Sequence, residues 1–125
     1  MRAPLRFFVK LLVLDLTASS AFYERLGFVR VGADGTFIHL RWEEQGDVLL
    51  VPVPSGVSLM GKRGWGVLLC LTSQTPLTEL ADRAKSLDAP VQGPEIQPWH
   101  TNELVVTDPD GYRLNFLEPP PTVAE

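Results

Sequence analysis

Apolar and polar positions along the chain follow two periodicities. Apolar runs bounded by Gly, Asp or Pro predict strands, and apolar residues three or four apart predict helices. In the first half this pattern predicts a strand at 7–14, a helix from Thr17 to about Gly27, and strands at 28–31, 36–42 and 47–53. In the second half it predicts a strand at 67–71, a helix from Pro76 to about Asp88, and strands at 91–97, 101–107 and 112–117.

The predicted elements therefore repeat the order β-α-β-β-β twice. A Pro- and Gly-rich connector at about 52–66 separates the two repeats. Neither half is large enough to bury a sizeable core alone, so the two are expected to pair into one α+β domain over residues 1–118. The two modules are predicted at about 7–54 and 66–118. The tail, residues 119–125, contains three prolines and is predicted to be flexible.

The composition of the chain excludes several classes of function. The chain has 125 residues, of which 45% are hydrophobic, and this favours a packed core. A net charge of -4 provides no basic surface for nucleic acid. The apolar runs are too short to span a membrane and the start lacks a signal-peptide pattern, so the cytoplasm is the expected compartment. Cys70 is the single cysteine, which excludes a disulfide framework, and its apolar neighbours predict that it is buried.

Two segments carry a resemblance to a known family. The first runs from Leu14 to Phe28 and reads LDLTASSAFYERLGF; the second, residues 108–116, reads DPDGYRLNF. Together with the repeated β-α-β-β-β order they resemble the vicinal oxygen chelate superfamily, which includes glyoxalases, bleomycin-resistance proteins and ring-cleaving dioxygenases. The resemblance implies paired modules whose curled mixed sheets surround a cavity, with the helices outside.

The resemblance also identifies the positions that hold the metal in metal-dependent members. In this sequence they are Phe8, Leu50, Asn115 and the region 65–67. None of these residues is His, Glu or Asp, and a divalent ion needs three or four such donors. The sequence therefore predicts no metal and no cofactor, and it disfavours an enzyme of the usual kind in this superfamily.

A cavity without metal ligands can instead hold a ligand between two aromatic side chains, an arrangement called here the aromatic clamp. The stretch Gln97-Pro98-Trp99 resembles the segment of bleomycin-resistance proteins whose Trp, with an aromatic from the third strand, sandwiches the drug in a dimer groove. Trp99 and Phe37 are the matching residues, and His100 replaces the Gly of that motif. The sequence thus predicts a homodimer that sequesters a planar or amphiphilic ligand, such as an antibiotic. No catalytic residue is assigned, and the predicted ligand-binding set is Phe8, Phe37, His39, Leu50, Trp65, Val67, Trp99, His100, Asn102, Asn115 and Leu117.

Two other interpretations stay open at the level of sequence. One is a metal-dependent lyase or dioxygenase with a relocated site built from His39, His100 and a carboxylate such as Glu103. The other is a degenerate domain whose interface, not its cavity, is the functional surface.

Overall fold

The computed structural model describes residues 8–59, 61 and 64–119. The chain divides at Gly64 into two compact units. Each unit contains one helix and one four-stranded mixed sheet, which confirms the predicted α+β class. Residue 7 of the first predicted strand and residues 120–125 of the predicted flexible tail lie outside the described residues.

The first unit has the sheet order β1-β4-β3-β2. Its β1 pairs with β4 in parallel, and the other neighbours are antiparallel. The helix α1 packs on β3 and β4. The elements are β1 (Phe8–Val13), α1 (Leu16–Leu26), β2 (Val29–Asp34), β3 (Phe37–Trp42) and β4 (Gly46–Pro52).

The second unit repeats this arrangement with the order β5-β8-β7-β6. Here β5 pairs with β8 in parallel, and α2 packs on β6 and β7. Its elements are β5 (Leu69–Thr72), α2 (Leu77–Ser86), β6 (Val91–Ile96), β7 (Asn102–Thr107) and β8 (Arg113–Leu117). The two units therefore share one topology, as the repeated element order predicts.

Local chemistry fixes the ends of the first helix. The side chain of Asp15 accepts a hydrogen bond from the Ala18 backbone N–H at 2.9 Å, so Asp15 is the N-cap and the helix begins at Leu16, one residue before the predicted start at Thr17. Gly27 ends the helix with a φ of 135°, a conformation that favours glycine. The aromatic ring of Phe28 then packs on Tyr23 and on Trp42, with ring centroids 5.1 Å apart in both pairs.

Each sheet has a helix face, covered by the helix of its own unit, and an opposite face, called here the distal face. Apolar residues on the helix faces form the cores: Leu11, Val13, Ile38, Leu40, Trp42, Val48 and Leu50 in the first unit, and Leu104, Val106, Leu114 and Phe116 in the second. The buried polar residues of the strands, His39, Glu103 and Asn115, lie on the distal faces, because side chains alternate between the two faces of a strand.

Candidate functional site

A buried carboxylate organises the distal face of the second unit. Glu103, on β7, is only 8% exposed. Its Oε2 accepts hydrogen bonds from the indole Nε1 of Trp99, at 2.8 Å, and from the hydroxyl of Thr101. Its Oε1 accepts a 2.9 Å hydrogen bond from the side-chain Nδ2 of Asn115, on β8. These four side chains, with Cys70, are called the Glu103 network.

A tight turn between β6 and β7 places Trp99 next to this carboxylate. The Gln97 N–H donates to the Thr101 carbonyl at 2.8 Å, and the His100 N–H donates back to the Gln97 carbonyl at 2.8 Å. His100 has a φ of 76°, which is unusual for a residue other than glycine and which closes the turn. The indole of Trp99 is nevertheless 63% exposed. The turn thus presents an aromatic side chain that is anchored by its N–H and exposed over most of its surface.

The Glu103 carboxylate is ionised at neutral pH. Burial raises its pKa, but hydrogen bonds from Thr101, Asn115 and Trp99 outweigh that effect and hold the pKa below its usual value. All three donors are neutral groups. Among the residues that the structure describes, no Lys or Arg forms an ion pair with Glu103. The distal face of the second unit therefore carries a buried negative charge stabilised by dipoles alone.

Asn115 connects this carboxylate to the edge strand β5. The Asn115 backbone pairs with Cys70, and its Nδ2 lies 3.7 Å from the Cys70 Sγ. The side chain is buried, yet its Oδ1 has no hydrogen-bond partner among the described residues. The prediction that Cys70 is buried is wrong, because β5 is an edge strand and leaves the thiol exposed.

Arg113 and Trp65 form a second pair in this unit. The Arg113 guanidinium carbon lies 4.0 Å from the centroid of the Trp65 ring, a cation–π contact, and the guanidinium also donates to the Trp65 carbonyl. Trp65 and Val67 are exposed by 53% and 57%. Leu117 pairs with Glu103 across the β7–β8 ladder and shares its face. Leu117 therefore lies on the same face as the Glu103 network, whereas Trp65 forms its cation–π contact with Arg113.

The first unit has a different polar cluster on its distal face. One oxygen of Asp47 lies 2.7 Å from His39 Nε2 and accepts a 2.8 Å hydrogen bond from Arg41 Nε. Burial raises the pKa of Asp47, but the hydrogen bonds with Arg41 and His39 and the positive charge of Arg41 outweigh that effect and hold the pKa below its usual value. Phe37 lies on the same face two residues before His39. Unlike Glu103, the carboxylate of Asp47 has a cationic partner.

Leu50 does not line the predicted ligand floor. It is fully buried on the helix face of β4, where it pairs with Leu11 and Ile38. Leu49 occupies the distal face instead, because neighbouring residues of a strand point to opposite sides. Phe8 is 38% exposed and does lie on the distal face, in register with Asp47.

Asn102 also lies away from the Glu103 network. Its side chain donates to the Glu118 carboxylate, and its neighbour Glu103 points to the opposite face of β7. It borders a pocket of about 340 Å³ at the start of α2, lined mostly by the 73–78 segment. His100 is exposed on the turn beside Trp99. The pocket at α2 and the Glu103 network are thus separate features of the second unit.

The residues that the structure describes include no group of three His, Cys, Asp or Glu side chains able to hold a metal ion. The relocated site proposed from sequence needed His39, His100 and Glu103. Glu103 is instead saturated by Trp99, Thr101 and Asn115. Within the second unit, this carboxylate is therefore already engaged by three neutral donors. Within the described residues, no helix has the length and apolar character needed to cross a membrane.

The fold is that of the glyoxalase/bleomycin resistance proteins, which is the fold that the resemblance implies. No family model matches the chain, and no curated protein does. Solved structures do match over most of its length. Their identities are low, so these matches establish the fold alone.

Three of these structures illustrate the likeness. The hypothetical protein SA1046 from S. aureus is 24% identical, with a TM-score of 0.76, and the match covers 94% of this chain and 96% of that one. A bleomycin-binding protein complexed with bleomycin is 23% identical, with a TM-score of 0.71, covering 93% and 99%. A bleomycin resistance determinant encoded on the transposon Tn5 is 23% identical, with a TM-score of 0.72, covering 94% and 100%.

Sequence reasoning missed the central position of Glu103. Its place one residue before the apolar pair Leu104-Val105 gives no signal that its side chain is buried. The spacing to Trp99 was visible, but the hydrogen bond between them depends on the turn at 97–101, whose positive-φ residue is His100 rather than glycine. Trp99 and Asn115 were predicted as separate ligand contacts, and the structure joins them through one carboxylate.

Proposed function

We propose that the protein is a metal-free binding protein that sequesters a planar or amphiphilic small molecule, such as an antibiotic, by stacking it on Trp99. One observation carries this proposal: the Trp99 indole is fixed through its N–H to a buried carboxylate while most of its surface is exposed. A fixed aromatic loses little side-chain entropy when a ligand stacks on it. The likeness to a bleomycin-binding protein supports a role in binding.

The same geometry disfavours a purely structural role for Trp99. An indole used for packing is normally buried over its rings, and its N–H finds whichever acceptor is near. Trp99 has the reverse arrangement, since its polar edge is satisfied internally and its apolar surface faces solvent. Such an apolar surface next to a few placed polar groups is typical of small-molecule sites.

The experiment is a thermal-shift screen of planar and amphiphilic compounds, with bleomycin among them. Compounds that raise the melting temperature are then titrated calorimetrically into the wild type and into Trp99→Ala and Trp99→Phe. We expect Trp99→Ala to weaken binding about tenfold, and Trp99→Phe to weaken it less because a stacking ring remains. Undiminished binding to Trp99→Ala, or a screen without any binder, would overturn the proposal.

We also propose a homodimer, which the resemblance implies, with Phe37 as the second aromatic of the clamp. Exposed apolar side chains on and after the edge strand β6 support an interface there: Ile96 is 65% exposed and Trp99 is 63% exposed. Light scattering after gel filtration should give twice the mass of one chain. A single-chain mass at micromolar concentration would contradict this part of the proposal.

The expected compartment is the cytoplasm. Cys70 is an exposed thiol with no second cysteine in the chain to pair with, and such a thiol suits a reducing compartment.

A further inference from the structure

The Asn115 amide offers an acceptor that nothing in its own unit fills. Its Oδ1 is buried without a hydrogen-bond partner among the described residues, while its Nδ2 donates to Glu103. A buried acceptor left unpaired costs about 1–3 kcal/mol. Such a group in a folded protein calls for an explanation, and a site completed by a ligand is one.

The orientation of this amide is set by its neighbours. A flip would turn the Oδ1 towards the Glu103 carboxylate and place two acceptors in contact, so the Nδ2 must face Glu103. The hydrogen bond to an ionised carboxylate also polarises the amide and makes its oxygen a stronger acceptor. The Oδ1 is therefore both fixed in direction and electron-rich.

The acceptor and the aromatic platform belong to the same network. Trp99 binds one oxygen of Glu103 and Asn115 binds the other, so a single carboxylate separates the stacking surface from the unfilled acceptor. A ligand that reaches both needs a hydrogen-bond donor held rigidly by its planar ring system, either on the ring itself or on a group conjugated to it. Carboxamides and amino groups on an aromatic ring have this geometry.

We infer that the ligand is a planar aromatic molecule with an N–H donor on its ring, and that Asn115 is the residue that selects it. This inference rests on the proposed function, because it assumes that the ring stacks on Trp99. It adds the chemical class of the ligand and a specificity residue, which the stacking interaction alone does not define.

The test compares two neutral probes of similar shape, 2-naphthamide and methyl 2-naphthoate. The first has N–H donors and the second has none, and neither carries a charge that Glu103 could attract. Calorimetric titration of the wild type should show 2-naphthamide binding about tenfold more tightly, the value of one hydrogen bond to an otherwise unpaired acceptor. This comparison needs no variant and so does not depend on whether a variant folds.

Variants then assign the preference to Asn115. We expect Asn115→Leu to bind both probes equally, and Gln92→Leu, which removes an exposed amide on the neighbouring strand β6, to keep the tenfold preference. Trp99→Ala should weaken both probes by the same factor.

The failures of the two proposals are distinguishable. Equal affinity for the two probes in the wild type, with both weakened by Trp99→Ala, overturns the inference and leaves the stacking function intact. A preference that persists in Asn115→Leu also overturns it. If Trp99→Ala keeps both the preference for the amide and the wild-type affinity, the stacking function is overturned and the donor site is kept. Absence of binding by both probes at millimolar concentration overturns both.

Discussion

The indole Nε1 of Trp99 donates a 2.8 Å hydrogen bond to Oε2 of Glu103, four residues further along the chain. The bond spans a turn and a strand end, and it joins a residue that is 63% exposed to one that is 8% exposed. The orientation of the surface aromatic therefore depends on a carboxylate beneath it.

Glu103→Gln should release Trp99. The amide keeps one acceptor oxygen but places an NH₂ group against donors, so one or two of the three hydrogen bonds are lost. We expect the free energy of unfolding to fall by about 1–3 kcal/mol. Tryptophan fluorescence anisotropy should fall as well, because the indole becomes freer to rotate. Glu95→Gln, an exposed substitution on the neighbouring strand, is the control, and the prediction fails if the two variants behave alike.

The protein should lose stability in acid. The pKa values of Glu103 and Asp47 lie below their ordinary values of 4.5 and 3.8, so the unfolded chain binds protons at pH values where the folded one does not. Stability from these groups is complete above the ordinary values and is lost as the pH falls through the lowered ones. Urea unfolding between pH 7 and pH 2 measures this, and Glu103→Gln should show a shallower loss. An identical pH dependence in variant and wild type would contradict the prediction.

Gly93→Ala should disturb the strand that carries Glu103. Gly93 has a φ of 93°, and a Cβ at this position would lie 2.6 Å from the Glu103 carbonyl oxygen. We expect a loss of about 2 kcal/mol or more from backbone strain and collision. Gly35→Ala is a matched control, because a Cβ there meets no atom within 4 Å. Equal melting temperatures for the two variants would show that β6 tolerates a side chain at position 93.

Metal ions should neither copurify with the protein nor stabilise it. The positions that the resemblance assigns to metal ligands include Phe8 and Asn115, and the carboxylate of Glu103 accepts hydrogen bonds from three donors. Elemental analysis of protein purified without chelator should find nickel, zinc and manganese well below one ion per chain. A rise of several degrees in melting temperature with one of these ions would direct attention to His39 and His100.

The architecture was predictable because the spacing of apolar residues along the chain reveals the period of each strand and helix. The side chains that form the site were less so. A shift of one residue moves a side chain to the other face of a sheet, and Leu50 of the predicted ligand-binding set lies on the helix face while its neighbour Leu49 lies on the distal face. Sequence patterns also do not encode partners that meet across strands, such as Glu103 with Asn115 or Asp47 with Arg41.

Cys70, on the edge strand β5, gives the protein one natural site for thiol-reactive labels. It is the single cysteine of the chain, its thiol is exposed, and it lies 3.7 Å from the Asn115 amide. A maleimide dye or a nitroxide label therefore reacts at one atom of the Glu103 network, without any engineered residue. Changes in that label's emission or mobility would follow occupancy of the site in real time.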